Sequence, residues 1–312
     1  MTKTAYLFPG QGSQFVGMGK DLSDAFPFVR ETFEMASEAA GLDLARLCFS
    51  GPEEALRQTV NLQPALACMN HACFLAVERE KGPPAFAAGH SLGEYNAYAA
   101  SGVLAPQDMF ATVALRGKLM DQAARKRPGA MAAVLGPGAG AVEEALANLR
   151  EKGEEVWTAN FNTPAQTVIT GSPDSVKKAC EALAQSRART VPLAVSGAWH
   201  CPFMEDAGRE FAEHLDRTPF AKPGFPLALN VSGEITDDPA RMVRLAKRQL
   251  VSPVQWTALV NALLAAGVTE FVELGPKNVL GGMVKKIAEK TDGLRIVSLG
   301  DMASLERYLS GP

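Results

Sequence analysis

The stretch Ala85-Phe86-Ala87-Ala88-Gly89-His90-Ser91-Leu92-Gly93, followed by helix-forming residues to about Ser101, constrains the fold of this chain more than any other. Its leading residues are apolar and read as a short buried strand. Two glycines then flank a serine, and a turn this sharp leaves no room for side chains on either side of it. A strand that passes through such a turn directly into a helix belongs to an α/β body, a mostly parallel sheet wrapped by helices.

Upstream, residues 5–8 read as a first strand that runs into Pro9-Gly10-Gln11-Gly12-Ser13-Gln14, where small residues allow a tight turn and the close approach of a ligand. Helical patterns follow over residues 29–40 and 64–80, with Pro64 in the first turn of the second, where a missing N–H costs little. From residue 130 the rhythm changes. Apolar runs at 130–135, 156–161, 167–170 and 190–195 alternate with helical stretches at 141–149 and 174–185, in the order β-α-β-β-α-β. This is the pattern of a ferredoxin-like unit, so residues 129–196 are expected to form a compact subdomain inserted into a larger body made of residues 1–128 and 197–312. Arg125-Lys126-Arg127-Pro128-Gly129 and Ser196-Gly197 are the expected linkers. Beyond them, helical stretches at 203–215, 239–250 and 254–266 alternate with apolar runs at 227–229, 271–274 and 296–299.

With 47% hydrophobic and 21% charged side chains in 312 residues, the chain can bury a large core and is not disordered. A net charge of -3 and a pI near 5.9 argue against nucleic acid as a partner, which would demand a broad basic field. The apolar run after Met1-Thr2-Lys3-Thr4 is too short for a signal-peptide core, and charge, Gly or Pro interrupts every other apolar stretch before membrane-spanning length. Five scattered cysteines fit reduced thiols, so the expected location is the cytoplasm. Cys68, His71 and Cys73 are close enough to suggest a metal site, but they fall in an apolar helical stretch with no second ligand pair and read as core. No metal is expected.

Ser91 on its turn is a candidate nucleophile, with an ordinary turn serine as the alternative. Its hydroxyl attacks only if a base takes the proton. Of the four histidines, His71 belongs to a helix, His90 adjoins Ser91 with its side chain expected to point away, and His214 sits in a charged helical stretch and reads as solvated. His200 follows Ser196-Gly197-Ala198-Trp199, where the insert returns to the body, and a junction between domains is where sites form.

Taken in order, Phe8-Pro9-Gly10-Gln11-Gly12-Ser13-Gln14, Gly89-His90-Ser91-Leu92-Gly93-Glu94-Tyr95, Arg116-Gly117-Lys118-Leu119-Met120, Gly129-Ala130-Met131-Ala132-Ala133-Val134, Asn160-Phe161-Asn162, His200, and Gln249-Leu250-Val251-Ser252-Pro253-Val254-Gln255-Trp256 resemble the successive motifs of malonyl-CoA:acyl carrier protein transacylases. They cover nearly the whole chain. The resemblance implies an α/β-hydrolase-like large subdomain with an inserted ferredoxin-like small subdomain. It implies that Ser91 is acylated, that His200 is the general base and acid, and that backbone N–H groups of Gln11 and Leu92 form the oxyanion hole. A backbone carbonyl near Gln249 would orient the histidine. Arg116 would bind the malonyl carboxylate, since a guanidinium fork matches a carboxylate in two parallel hydrogen bonds. Met120 and Trp199 would line the acyl pocket; many malonyl-selective polyketide members have Phe in place of Trp199, and the larger ring would either exclude a methyl branch or pack against the insert.

No bound cofactor is implied. A coenzyme A thioester is the substrate, and the acceptor is the phosphopantetheine thiol of an acyl carrier protein in fatty-acid or polyketide synthesis. Such carriers are acidic, so Arg241, Arg244 and Arg248 at helical spacing, and Arg125-Lys126-Arg127, are the expected docking faces. The chain is expected to act as a monomer, with an acyl hydrolase of the same fold as the alternative reading.

Overall fold

The computed structural model describes residues 2–311 of the chain. Its strands are β1 (Thr4–Phe8), β2 (Phe86–Gly89), β3 (Ala130–Leu135), β4 (Val156–Thr163), β5 (Gln166–Gly171), β6 (Arg189–Pro192), β7 (Leu227–Ala228), β8 (Ile235–Thr236), β9 (Glu270–Leu274) and β10 (Arg295–Leu299). The larger sheet has the order β10-β9-β1-β2-β7-β8, parallel throughout except where β8 pairs with β7. The sequence of β1 explains why both faces are covered. Tyr6 and Phe8 project to one side, against Phe74 of the helix Thr59–Lys81, while Ala5 and Leu7 project to the other, into a cluster with Trp256, Leu259 and Phe271. Alternate side chains of a strand point to opposite faces, so an all-apolar strand needs helices on both.

The smaller sheet has the order β4-β5-β3-β6 with antiparallel neighbours, as the β-α-β-β-α-β pattern requires. Ala132 and Val134 of β3 face the helices Ala139–Arg150 and Pro173–Gln185 and pack with Val142, Leu146, Val176 and Ala179. Met131 and Ala133, on the opposite face, join the main core instead. Backbone bonds also tie β4 to the segment of the body that leads into the helix Trp256–Ala265. The Phe161 N–H donates to the Val254 carbonyl at 2.9 Å, and the Val254 N–H to the Ala159 carbonyl at 2.8 Å. The molecule is thus a large α/β body with a small subdomain, and the cleft between them has one wall from each.

Two helices depart from the sequence reading. The stretch containing Pro64 begins earlier, at Thr59, and places the proline inside the helix rather than in its first turn. The residues from Leu62 to Phe74 are all buried, and this packing offsets the lost backbone bond. The stretch expected as one helix over 239–250 ends at Ala246 and resumes as a short 3-10 turn, Gln249–Val251. That break turns Gln249 inward, where it is wholly buried. His214 is likewise not solvated: it is half-buried, stacks on Phe211, and shares a 3.0 Å hydrogen bond with the Thr112 hydroxyl. No described helix is long and apolar enough to cross a membrane.

Candidate active site

β2 ends at Gly89, and the helix Gly93–Ala100 starts four residues later, leaving Ser91 at the tip of the connection with φ 53°. For a residue with a Cβ this left-handed conformation costs roughly 1–3 kcal/mol. The flanking glycines are steric necessities: a Cβ on Gly89 would overlap the Gly93 carbonyl group, and one on Gly93 the Phe8 carbonyl oxygen. The preceding loop comes equally close, since a Cβ on Gly10 would stand 2.5 Å from the His90 carbonyl oxygen. This contact brings Gln11 beside Ser91 at the carboxyl ends of β1 and β2, where ligands bind in open α/β sheets.

Across the cleft, His200 is also held at positive φ, 60°. Its Nε2 lies 2.8 Å from Ser91 Oγ, and its Nδ1 lies 2.9 Å from the Gln249 backbone carbonyl. A carbonyl only accepts, so Nδ1 carries the proton and Nε2 presents its lone pair to the serine hydroxyl. Burial, helped by the nearby Arg116 charge, pulls the imidazole pKa down to about 3, so the ring is neutral across the physiological range. His90 points elsewhere, with Nε2 at 2.9 Å from Asn162 Oδ1 and its ring against Trp256.

Arg116 is only 1% exposed and comes from the helix Pro106–Lys126. One Nη donates to Gln63 Oε1 at 2.7 Å, and the other donates to Ser91 Oγ and to Gln249 Oε1, each at 3.1 Å. Its Nε is buried without a hydrogen-bond partner, and the Tyr95 ring lies 5.7 Å away. Burial lowers the pKa of the guanidinium, and Tyr95 and Glu94 nearby raise it again. A cation stands in hydrogen-bond contact with the Ser91 hydroxyl and has no carboxylate hydrogen-bonded to it.

A cavity of about 90 Å³ brings Ser91, His200, Gln11, Leu92, Arg116, Met120 and Trp199 together, and Gln249 sits behind it. An open cavity of about 320 Å³ adjoins it, sharing Gln11, Leu193 and Val195 and carrying Arg57 and Lys277 on its walls. Sequence reasoning missed two residues of this site. Gln63, whose Nε2 points at the Met120 sulfur, orients Arg116; it stands among the polar residues just before the apolar stretch 64–80, and nothing in the sequence singled it out. Asn230 accepts the Ser91 N–H at 2.6 Å and donates to the Gly89 carbonyl at 2.6 Å, spanning the turn from the end of β7. Its signal was a polar residue just after the apolar run at 227–229.

A parallel sheet with a serine at its strand-to-helix turn, facing a neutral histidine, defines a protein of the acyl-transferring and acyl-hydrolysing class. The match to known proteins narrows this. Residues 5–306 match the model of the acyl transferase domain, and the chain belongs to that family. It is 39% identical over 307 residues to the malonyl CoA-acyl carrier protein transacylase of Bacillus subtilis strain 168, covering 98% of this chain and 96% of that one. It is 40% identical over 293 residues to the protein of the same description from Escherichia coli K12, covering 93% and 94%. Among solved structures, the malonyl-CoA:acyl carrier protein transacylase of Xanthomonas oryzae pv. oryzae superposes with a TM-score of 0.93 at 41% identity, over 99% of this chain and 98% of that one. A malonyl-transacylase in complex with its type II polyketide synthase acyl carrier protein also superposes at 0.93, with 39% identity and 99% coverage of each chain. The chain is an acyltransferase.

Proposed function

We propose that this enzyme moves a malonyl group from malonyl-CoA to the phosphopantetheine thiol of an acyl carrier protein, by way of an ester on Ser91. The observation that carries the reading is the buried, carboxylate-free guanidinium of Arg116 beside the nucleophile. Burying the malonyl carboxylate without a cation would cost several kcal/mol, and a two-pronged pairing with Arg116 offsets that cost. Acetyl has no charge to satisfy it.

Ser91 Oγ attacks the thioester carbonyl while its proton passes to His200 Nε2. The oxyanion of the tetrahedral intermediate takes hydrogen bonds from the N–H groups of Gln11 and Leu92, both beside Ser91 in the cavity. The carbon–sulfur bond then breaks, and the departing thiolate takes the proton back from His200. Transfer runs the same steps in reverse, with the carrier thiol as nucleophile. Trp199, 5% exposed, lines the acyl cavity and would crowd a branched acyl group there. Substrate and carrier supply all the remaining chemistry, and the protein contributes no bound cofactor.

Intact-mass measurement tests this directly. Incubation with malonyl-CoA should add one malonyl increment that Ser91→Ala abolishes and that added holo carrier protein discharges. Arg116→Ala should slow malonyl loading by about a hundredfold, as expected for losing a buried charge pairing of about 3 kcal/mol, and acetyl loading far less. Equal losses for the two acyl groups would contradict the assignment, and discharge to water at the same rate without carrier would identify a hydrolase.

A further inference from the structure

Glu94 follows the serine turn and has no part in the steps above, yet it is 1% exposed and lies at the centre of the polar network behind the site. Its Oε1 accepts from Gln249 Nε2 and from the Tyr98 hydroxyl, both at 3.0 Å, and its Oε2 accepts from the Asn230 N–H at 2.6 Å. Each of these partners leads to the reacting groups. Asn230 grips Ser91 and Gly89, while Gln249 receives a hydrogen bond from Arg116 on its side-chain oxygen and from His200 on its backbone carbonyl.

We propose that Glu94 is the positioning residue for carboxylate recognition: by capturing the NH₂ end of the Gln249 amide it turns the amide oxygen toward Arg116 and aims the guanidinium at the acyl group. The inference rests on the malonyl reading. A primary amide has a donor end and an acceptor end of nearly the same shape, so packing alone does not choose between them. Charge does. A carboxylate accepts only, and it draws the Gln249 NH₂ to itself, aided by the Ser91 carbonyl, which accepts from the same nitrogen at 3.1 Å. The oxygen is then left for the guanidinium, which donates only. With the amide reversed, the NH₂ would face the guanidinium, donor against donor, and Arg116 would lose one of the two amide oxygens that set its plane.

Burial raises the Glu94 pKa to about 7 against the hydrogen bonds from Asn230, Tyr98 and Gln249 and the nearby Arg116 charge, all of which favour the ionised form. Its two oxygens accept from three donors, so the ionised form, present above that value, is the one that holds the amide. Glu94 does not line the acyl cavity, so its effect passes through Gln249.

The test uses the full-length enzyme, with Ser91 loading by malonyl-CoA and by acetyl-CoA read as intact mass over time. Glu94→Gln retains the shape and removes the charge, so the malonyl-to-acetyl rate ratio should fall at least fivefold while the melting midpoint moves little. In a Gln249→Ala background, which retains the backbone carbonyl that holds His200, the same substitution should leave the ratio where Gln249→Ala alone put it. Glu94→Asp preserves the charge at shorter reach and should give an intermediate ratio; it carries the test if the Gln variant does not fold. A wild-type ratio in Glu94→Gln or Glu94→Asp, or an undiminished effect of Glu94→Gln in the Gln249→Ala background, would overturn the proposal. Failure of the wild-type enzyme to load malonyl would instead overturn the function on which it rests.

Discussion

Ser91 and His200 both hold a backbone conformation that side chains avoid, and they meet at 2.8 Å with no carboxylate on the histidine. A carbonyl partner fixes the tautomer without stabilising the imidazolium as a charge would. In the proposed reaction the thioester is activated enough for this weaker pair to suffice. Because His200 stays neutral down to about pH 3, the acid limb of acetyl loading, which does not call on Glu94, should lie clearly below the ordinary histidine value of about 6.5. An acetyl-loading profile of kcat/KM that falls away at 6.5 would reassign the base. Asn230 belongs to the same scale. Asn230→Ala removes both the acceptor for the Ser91 N–H and the donor to Gly89, and loading should slow by tenfold or more while KM for malonyl-CoA changes little.

Among the elements, the strand-to-helix turn was readable because its steric demand is local: no Cβ fits at Gly89 or Gly93. Gly93→Ala should accordingly lower the thermal midpoint by several degrees, since the clash is with the backbone of β1, which cannot move without disturbing the sheet. The order of strands in the insert was equally readable, from the switch between helical and alternating apolar periods. Helix ends were less so. The helix after Pro239 stops at Ala246 because Gln249 is drawn into a network built by residues from distant parts of the chain, and no pattern within residues 239–250 announces those partners.

For the whole molecule, burial makes stability depend on pH. All four histidines have lowered pKa values, to about 4 for His71 and about 3 for His200, with burial the leading cause. The unfolded chain takes up protons below about 6.5 that the folded chain refuses, so their contribution is intact above that value and is lost as pH falls through the folded values. Glu94 and Glu273, raised by burial, act in the opposite sense, losing stability as pH rises above the ordinary carboxylate range. His71 and His200 together are lowered further than Glu94 is raised. The melting midpoint should therefore fall between pH 7 and pH 5, as the unfolding free energy drops by about 1.4 kcal/mol per pH unit for each net proton, and a flat profile would contradict the balance.

Carrier docking is also decided on this scale. Arg125, Lys126 and Arg127 are each paired, with Asp121, Asp206 and Glu155, and Arg241 pairs with Glu234. Arg244 and Arg248 are exposed and make no ion pair among the described residues. Reversing these two to Glu should raise KM for carrier protein severalfold and leave loading from malonyl-CoA unchanged; unchanged carrier kinetics would exclude this face.

The sequence by itself determined the α/β class, the ferredoxin-like insert and the sharp turn that carries Ser91, because each rests on short-range demands: apolar period, turn sterics, and a serine between two glycines. The histidine too was reachable, since few exist and one stands at the junction. What only the tertiary structure decided is which polar side chains hold those groups in place. Gln63, Glu94, Asn230 and Gln249 come from four separate segments and act through hydrogen bonds of 2.6–3.1 Å that exist only once the helices and strands are packed. Their bonds join residues up to 158 positions apart, and buried polar groups in such a network have no periodicity to betray them.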